Sequence, residues 1–235
     1  MVAAALALAR GVAGQGGIAI TPLVHSSIQI EGAGQVVQID PWSKADLARA
    51  KPADLILVTD DPIHHLDPEA IRRLRKPGAA VLLPAASQAK YPEGTAIANG
   101  ETRTVSGITV EAVAAYDITP GEPSHPKGKA NGYLLTIAGQ RIYVAGVTEC
   151  VPEMRAQRNV DVAFVPMNLP LRRMTPQAAA ACVNLFAPRA VYVYHYDQSW
   201  ASNGTPLANA AETIDAFRGA LSPGIEFRAG AWYPR

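Results

Sequence analysis

Cysteine is scarce in this chain: Cys150 and Cys182 are the only two among 235 residues. Two cysteines cannot make a disulfide scaffold, and their spacing matches no zinc knuckle. They read as two small buried hydrophobes. Charge of one sign is also lacking. Twenty-one basic and 20 acidic residues leave a formal net charge of +1, which gives no electrostatic case for nucleic acid or an anionic membrane as partner. No run reaches the ~18 apolar residues needed to span a bilayer. No glycine-rich phosphate loop follows a strand, and there is no Gly-x-Ser-x-Gly elbow and no kinase motif set, so nucleotide folds and serine hydrolases are disfavoured. What is present is apolar material, 49% of residues, enough for a sizeable core and too much for a disordered chain. Nineteen glycines and 19 prolines imply many tight turns between short elements.

Residues 1–16 are set apart. Val2 to Ala9 is an Ala/Leu run and Gly11 to Gly17 is Gly/Ala-rich, the composition of a signal h-region and cleavage zone, but nothing basic precedes the run. The segment reads as a truncated signal, implying a periplasmic or secreted protein, or as a leader on a cytoplasmic one. Residues 17–235 show no linker and no repeat and read as one domain. Ile18–Thr21, Ser27–Glu31 and Val36–Asp40 are short strand candidates, the last two joined through Gly32-Ala33-Gly34 as a hairpin. Asp54–Thr59 is nearly continuous apolar, as expected of a strand buried on both faces. Further strands are expected at Ala80–Leu83, Ile108–Ala114, Gly132–Ile137, Arg141–Ala145, Val162–Val165 and Val191–Tyr196. Asp67-Pro68, Thr175-Pro176 and Thr205-Pro206 each put a capping residue before a proline suited to a first helical turn. They predict helices to about Arg75, Phe186 and Leu221, the first ended by Pro77-Gly78. Strands first, then strands mixed with helices, favour two sheets with helices outside over a doubly wound sheet.

The densest polar cluster is Thr59-Asp60-Asp61-Pro62-Ile63-His64-His65-Leu66-Asp67, between a buried strand and a capped helix. Such loops, held by a rigid scaffold, concentrate binding residues. Its imidazoles and carboxylates suit a metal, and a polar turn capped by Asp67 suits the same letters. Here the sequence resembles the metallo-β-lactamase superfamily, in the branch that includes ascorbate-6-phosphate lactonase and N-acyl-phosphatidylethanolamine phospholipase D. The markers run in order from Pro22-Leu23-Val24-His25-Ser26-Ser27 through Ile39-Asp40-Pro41-Trp42, Asp54–Thr59 and His65-Leu66-Asp67-Pro68-Glu69-Ala70. They continue with His125-Pro126-Lys127-Gly128, Asn131-Gly132-Tyr133, Arg141–Gly146, Asp161–Asn168 and Tyr194-His195-Tyr196. The resemblance implies an α/β fold, a four-layer αββα sandwich with the active site at one edge of two sheets. It also implies a metal-dependent hydrolase that acts on a small-molecule ester, lactone or phosphodiester through a metal-bound hydroxide.

The departures from that family alter the expected chemistry. Against its His-x-His-x-Asp-His signature, Asp60 replaces the first His, Pro62 the second and His64 the Asp, while His65 matches the final His. Val147, in Gly146-Val147-Thr148, stands where the bridging Asp should be. His195 matches the last family His and His125 is the best candidate for the remaining one. Proline has no donor and valine cannot bridge, so a two-metal centre is not expected. His64, His65 and His195 remain for a single metal, zinc first, manganese or iron otherwise, with His125 as a fourth ligand or a substrate contact. Asp60 or Asp61 is the general-base candidate. His25, in a turn resembling the family's His-Ala-Ser, is expected to support the site or touch substrate. Tyr194 and Tyr196 alternate with His195 on a strand and should pack away from it. Cys150 has no base beside it to make it a nucleophile. The rival reading is a catalytically inactive relative that keeps the fold and binds a small molecule or a protein.

Overall fold

The computed structural model describes residues 17–167 and 173–233, so the leader segment and Asn168 of the sequence markers lie outside the described residues. The first sheet has six strands in the order of the chain: β1 (Ala19–Val24), β2 (Ser27–Gly32), β3 (Gln35–Ile39), β4 (Ala53–Leu57), β5 (Arg75–Leu83) and β6 (Thr95–Ala96). Its first three strands are antiparallel and the rest join in parallel. Ala33 and Gly34, both at positive φ, close the expected hairpin between β2 and β3. The helix α1 (Pro68–Leu74) crosses between β4 and β5, capped by Asp67, whose carboxylate accepts the Glu69 and Ala70 amides.

The second sheet holds β7 (Thr102–Val105), β8 (Ile108–Ala115), β9 (Ala130–Ile137), β10 (Gln140–Val144), β11 (Val162–Pro166), β12 (Ala190–Tyr194) and β13 (Glu226–Arg228), ordered 13-12-11-10-9-8-7. Between these strands come α2 (Pro152–Arg155), α3 (Pro176–Phe186), α4 (Gln198–Asn203) and α5 (Ala210–Gly219).

The layers follow from strand alternation. On β4, Leu55 and Leu57 face the second sheet and join the main core with Ile28, Ile30, Val110 and Leu135. Ile56 on the opposite face packs with Ile71 of α1, Val81 and Leu83. Both faces of this strand are therefore buried, as its unbroken apolar run requires. On the far side of the second sheet, α3 sets Ala179, Ala180, Val183 and Phe186 into the same core. Helix, sheet, sheet and helices make the four-layer αββα sandwich.

Three local expectations change. The third helix starts later than expected, and a short unexpected helix precedes it. Asp197 accepts the Trp200 amide at 2.8 Å, starting α4 at Gln198, and accepts the Leu207 amide at 2.7 Å, holding Thr205-Pro206 in a loop so that α5 begins only at Ala210. Pro77-Gly78 does not end a helix, because α1 stops at Leu74 and the chain passes directly into β5. Cys150 and Cys182 are joined as a disulfide, where two separate hydrophobes were expected. Nothing in their spacing brings the loop after β10 beside α3; the fold does that, with a Cα separation of 5.6 Å.

Candidate metal centre

The site is assembled by the turn His25-Ser26-Ser27 between β1 and β2, with His25 in the left-handed region at φ 52°. Each residue of this turn fixes a different part of the centre. The His25 carbonyl accepts the His195 amide at 3.2 Å, joining the turn to the end of β12. The Ser26 hydroxyl donates to the His64 carbonyl at 2.8 Å, and the Ser27 hydroxyl donates to the Asp40 carbonyl at 2.6 Å. All three residues are fully buried, so these bonds are shielded from water.

The imidazoles meet as a result. His25 and His195 have ring centroids 4.0 Å apart, His64 and His65 4.4 Å, and His65 stacks on His195 at 5.2 Å. His25, His64 and His195 each offer a ring nitrogen within 4.8 Å of the other two. This trio differs from the set expected from sequence by exchanging His65 for His25. His65 lies beside it, its Nδ1 2.6 Å from Asp40 Oδ2. Asp40 is fully buried, and also accepts the Thr59 amide at 2.7 Å and the Thr59 hydroxyl at 2.6 Å. A carboxylate behind an imidazole fixes the ring and leaves Nε2 free, the arrangement found behind metal ligands. His25 Nδ1 is likewise 2.7 Å from the Tyr233 hydroxyl.

Burial dominates the electrostatics. It lowers His25 to about 2, helped by the neighbouring His64, His65 and Lys44, and lowers His64 to about 2, with His65 and His125 adding to the effect. His65 falls to about 4, again chiefly through burial, and His195 falls well below the ordinary histidine value. Neutral imidazoles have a lone pair to give. His25 Nε2, His65 Nε2 and both ring nitrogens of His195 are buried without a hydrogen-bond partner among the described residues. Buried polar atoms without partners are uncommon, and one nitrogen from each of His25, His64 and His195 fits a divalent metal of the zinc type.

Around this centre the other expected residues take separate positions. Asp60 is buried, with Oδ1 accepting the Asp61 amide at 2.8 Å and Oδ2 free of hydrogen bonds, 3.4 Å from His125 Nε2. His125 is held through its backbone: its amide donates to Asp117 Oδ2 at 2.9 Å, and its carbonyl accepts the Asp117 amide at 2.9 Å. Arg173 donates to the same Asp117 oxygen and to the Glu122 carbonyl. Asp61 is drawn outward to Lys90 Nζ at 2.7 Å. Against the opposing effect of burial, Lys90 and Lys129 keep its carboxyl below the ordinary range. Val147 is buried, and Gly146 before it has φ 71°, with the Asn131 carbonyl only 2.6 Å from where a Cβ would stand. Tyr194 and Tyr196 pack into the main core, although the expected strand alternation stops at Tyr194, where β12 ends, and His195 is left-handed at φ 53°.

Sequence reasoning gave no role to Asp40, Ser26, Ser27, Tyr233, Asp117 or Arg173. For Asp40 the signal was the Ile39-Asp40-Pro41-Trp42 marker, an acid at the end of an apolar strand. For Tyr233 and Arg173 the sequence carries none.

The comparisons with known proteins agree with this architecture. The family model described as a beta-lactamase superfamily domain matches residues 19–195. A metal-dependent hydrolase of Caldivirga maquilingensis is 30% identical over 186 residues, covering 74% of this chain and 80% of its own length. A crystal structure of a protein from Parabacteroides distasonis, named as a metal-dependent hydrolase, is 36% identical with a TM-score of 0.79, covering 91% of this chain and 92% of that one. Igni18, a metallo hydrolase of Ignicoccus hospitalis, shares the fold at 20% identity and a TM-score of 0.71, covering 92% and 96%. With the family model spanning most of the described chain and the αββα sandwich carrying its histidines at one edge, the chain belongs to the metallo-β-lactamase superfamily.

Proposed function

We propose that the protein is a mononuclear metal-dependent hydrolase acting on a small-molecule ester, lactone or phosphodiester. The observation that carries this reading is the convergence of one ring nitrogen each from His25, His64 and His195 within 4.8 Å of one another, with His25 Nε2 and the His195 nitrogens buried and unpartnered among the described residues. Relatives named as metal-dependent hydrolases support it. In this reading His25, His64 and His195 hold the ion, zinc before manganese or iron, and His65 is kept beside them by Asp40. The ion, when bound, supplies Lewis-acid polarisation and an activated water. Asp60 is the better general base of the two sequence candidates, because Oδ2 is free while Asp61 is engaged by Lys90. His125, 3.4 Å from that oxygen, orients the base or donates to a developing negative charge on substrate.

The chain is also assigned to an oxidising compartment, periplasmic or extracellular. The disulfide supports this, since such bonds are rare in reducing cytosol. Among the described residues no helix is long and apolar enough to cross a membrane.

The test is hydrolysis of 4-nitrophenyl acetate, bis(4-nitrophenyl) phosphate and a simple lactone by the metal-supplied protein. Turnover of at least one is expected, with His195→Ala slowed at least about 100-fold while its circular dichroism is unchanged. Equal rates in wild type and His195→Ala would contradict the site. A specific observation favours a second reading, a non-catalytic binding protein: Pro62 and the buried Val147 stand where the family keeps two of its ligands. A folded, metal-supplied wild type inert on all three substrates would select it.

A further inference from the structure

On the outer face of the second sheet lies a cleft of about 530 Å³, within the size range of small-molecule sites. Among the described residues no histidine lines it. Its floor comes from strand register. Thr109 pairs with Thr136 and Thr136 with Arg141; Glu111 pairs with Leu134 and Leu134 with Tyr143. Arg141 and Tyr143, two apart on β10, therefore rise from the same face as Thr109 and Glu111. One wall is the stretch from Glu153 in α2 through Gln157 to Arg158.

The basic groups of this cleft differ in how far they are engaged. Lys127 is paired with Glu153 at 2.6 Å. Arg141 has no ion-pair partner among the described residues, and its Nε is buried without an acceptor. The nearby Asp161 does not serve it: one carboxylate oxygen takes the Arg141 backbone amide at 2.9 Å and the other takes Arg189 at 3.2 Å. Glu111 stands two strands away from β10, about 10 Å by strand spacing, too far to pair with Arg141. Arg158 donates one nitrogen to the Arg155 carbonyl at 2.7 Å and the Gln157 carbonyl at 2.6 Å, which fixes its guanidinium at the rim without neutralising it. The Tyr143 hydroxyl, fully buried on the same face, also lacks a partner.

A surface arginine normally keeps its head in water. Here the Nε of Arg141 is withdrawn into a cleft whose other cation without an ion pair, among the described residues, is Arg158, and a buried donor without an acceptor is costly. A carboxylate or phosphate matches the guanidinium fork and supplies that acceptor. We propose that this cleft is a second ligand site, for a compact organic anion whose carboxylate or phosphate group is held by Arg141 and Arg158. Glu111 repels negative charge at the opposite end, so the ligand carries its anionic group at the arginine end only.

The test is calorimetric titration of the full chain at 0.15 M salt with inorganic phosphate and, separately, with lactate, which distinguishes the two acid chemistries. Saturable binding of at least one, at one site per chain, is expected. Affinity should fall at least about tenfold in Arg141→Gln and about threefold or more in Arg158→Gln, and stay within twofold in Arg218→Gln and in His64→Ala. Arg158 is exposed, so its variant decides the matter if Arg141→Gln does not fold. Absence of saturable binding of both anions to wild type, loss of binding in His64→Ala, or undiminished affinity in Arg158→Gln would overturn the assignment.

Discussion

Asp40 makes no contact with solvent, yet it holds three donors: the Thr59 amide, the Thr59 hydroxyl and His65 Nδ1. Its replacement by alanine leaves the Thr59 amide without an acceptor, and the Thr59 hydroxyl and His65 Nδ1 with only each other at 3.1 Å, in a buried setting. A loss of about 3–5 kcal/mol is expected, read as a melting temperature lowered by roughly 10 °C. Ser26→Ala is milder. It removes one hydroxyl bond to the His64 carbonyl, so stability should fall by about 1 kcal/mol, while metal affinity, measured against a competing chelator, drops about tenfold as His64 loosens. A Ser26→Ala protein with wild-type metal affinity would remove the turn from the centre. At this scale the sequence was partly legible. His64, His65, His125 and His195 were singled out because imidazoles near strand ends are conspicuous and because their order resembles a family's; the structure brings His64, His65 and His195 together. His25 was assigned a supporting place, since a lone histidine in a turn does not reveal that its backbone carbonyl reaches His195, 170 residues later. Asp40 and Tyr233 gain their meaning only from contacts 25 and 208 residues away in sequence.

In the proposed single-ion reading, two loops set the number of ions: residues 59–66 after β4, and residues 146–149 after β10. The first ends in His64-His65 and the second begins with a glycine whose φ and close approach to the Asn131 carbonyl exclude a side chain. On the proposed alignment Pro62, Val147 and Asp60 stand where the family keeps donors, so restoring the donors should restore the ion. The triple variant Asp60→His, Pro62→His, Val147→Asp is expected to raise bound metal from one to two ions per chain. Val147→Asp alone buries a carboxylate without a partner and should cost about 2–4 kcal/mol, recovered in part when metal is supplied to the triple variant. Unchanged stoichiometry in a folded triple variant would mean that the motif is misaligned. Element boundaries show why sequence reading stops where it does. The Asp67-Pro68 and Thr175-Pro176 starts held because each cap bonds its own helix. Thr205-Pro206 has the same letters, but Asp197, ten residues before Leu207, accepts that residue's amide and the helix starts only at Ala210.

Across the whole molecule, the αββα layering was legible because β4 is apolar on both faces and the helices carry clear caps. The disulfide was not, because closeness of Cys150 and Cys182 is a product of packing α3 on the second sheet. It closes a loop of sequence separation 32, which by chain entropy contributes about 3.5 kcal/mol. Reduction should lower the melting temperature by roughly 7–14 °C. Because Cys150 follows the loop that carries Gly146 to Glu149, and Glu149 accepts the Ile118 and Thr119 amides, reduction should also raise hydrogen exchange in residues 116–125, the segment that ends at His125. Identical exchange in the reduced and oxidised forms would separate the bond from the site. The central claim, that the histidines form a single-ion centre, is tested most directly by metal content. The protein, purified without chelator and dialysed against zinc, is measured by inductively coupled plasma mass spectrometry beside His25→Ala and His195→Ala. Close to one ion per chain is expected in wild type and less than about 0.2 in each variant. A wild type that retains no metal, or a His25→Ala protein that still holds a full equivalent, would contradict it.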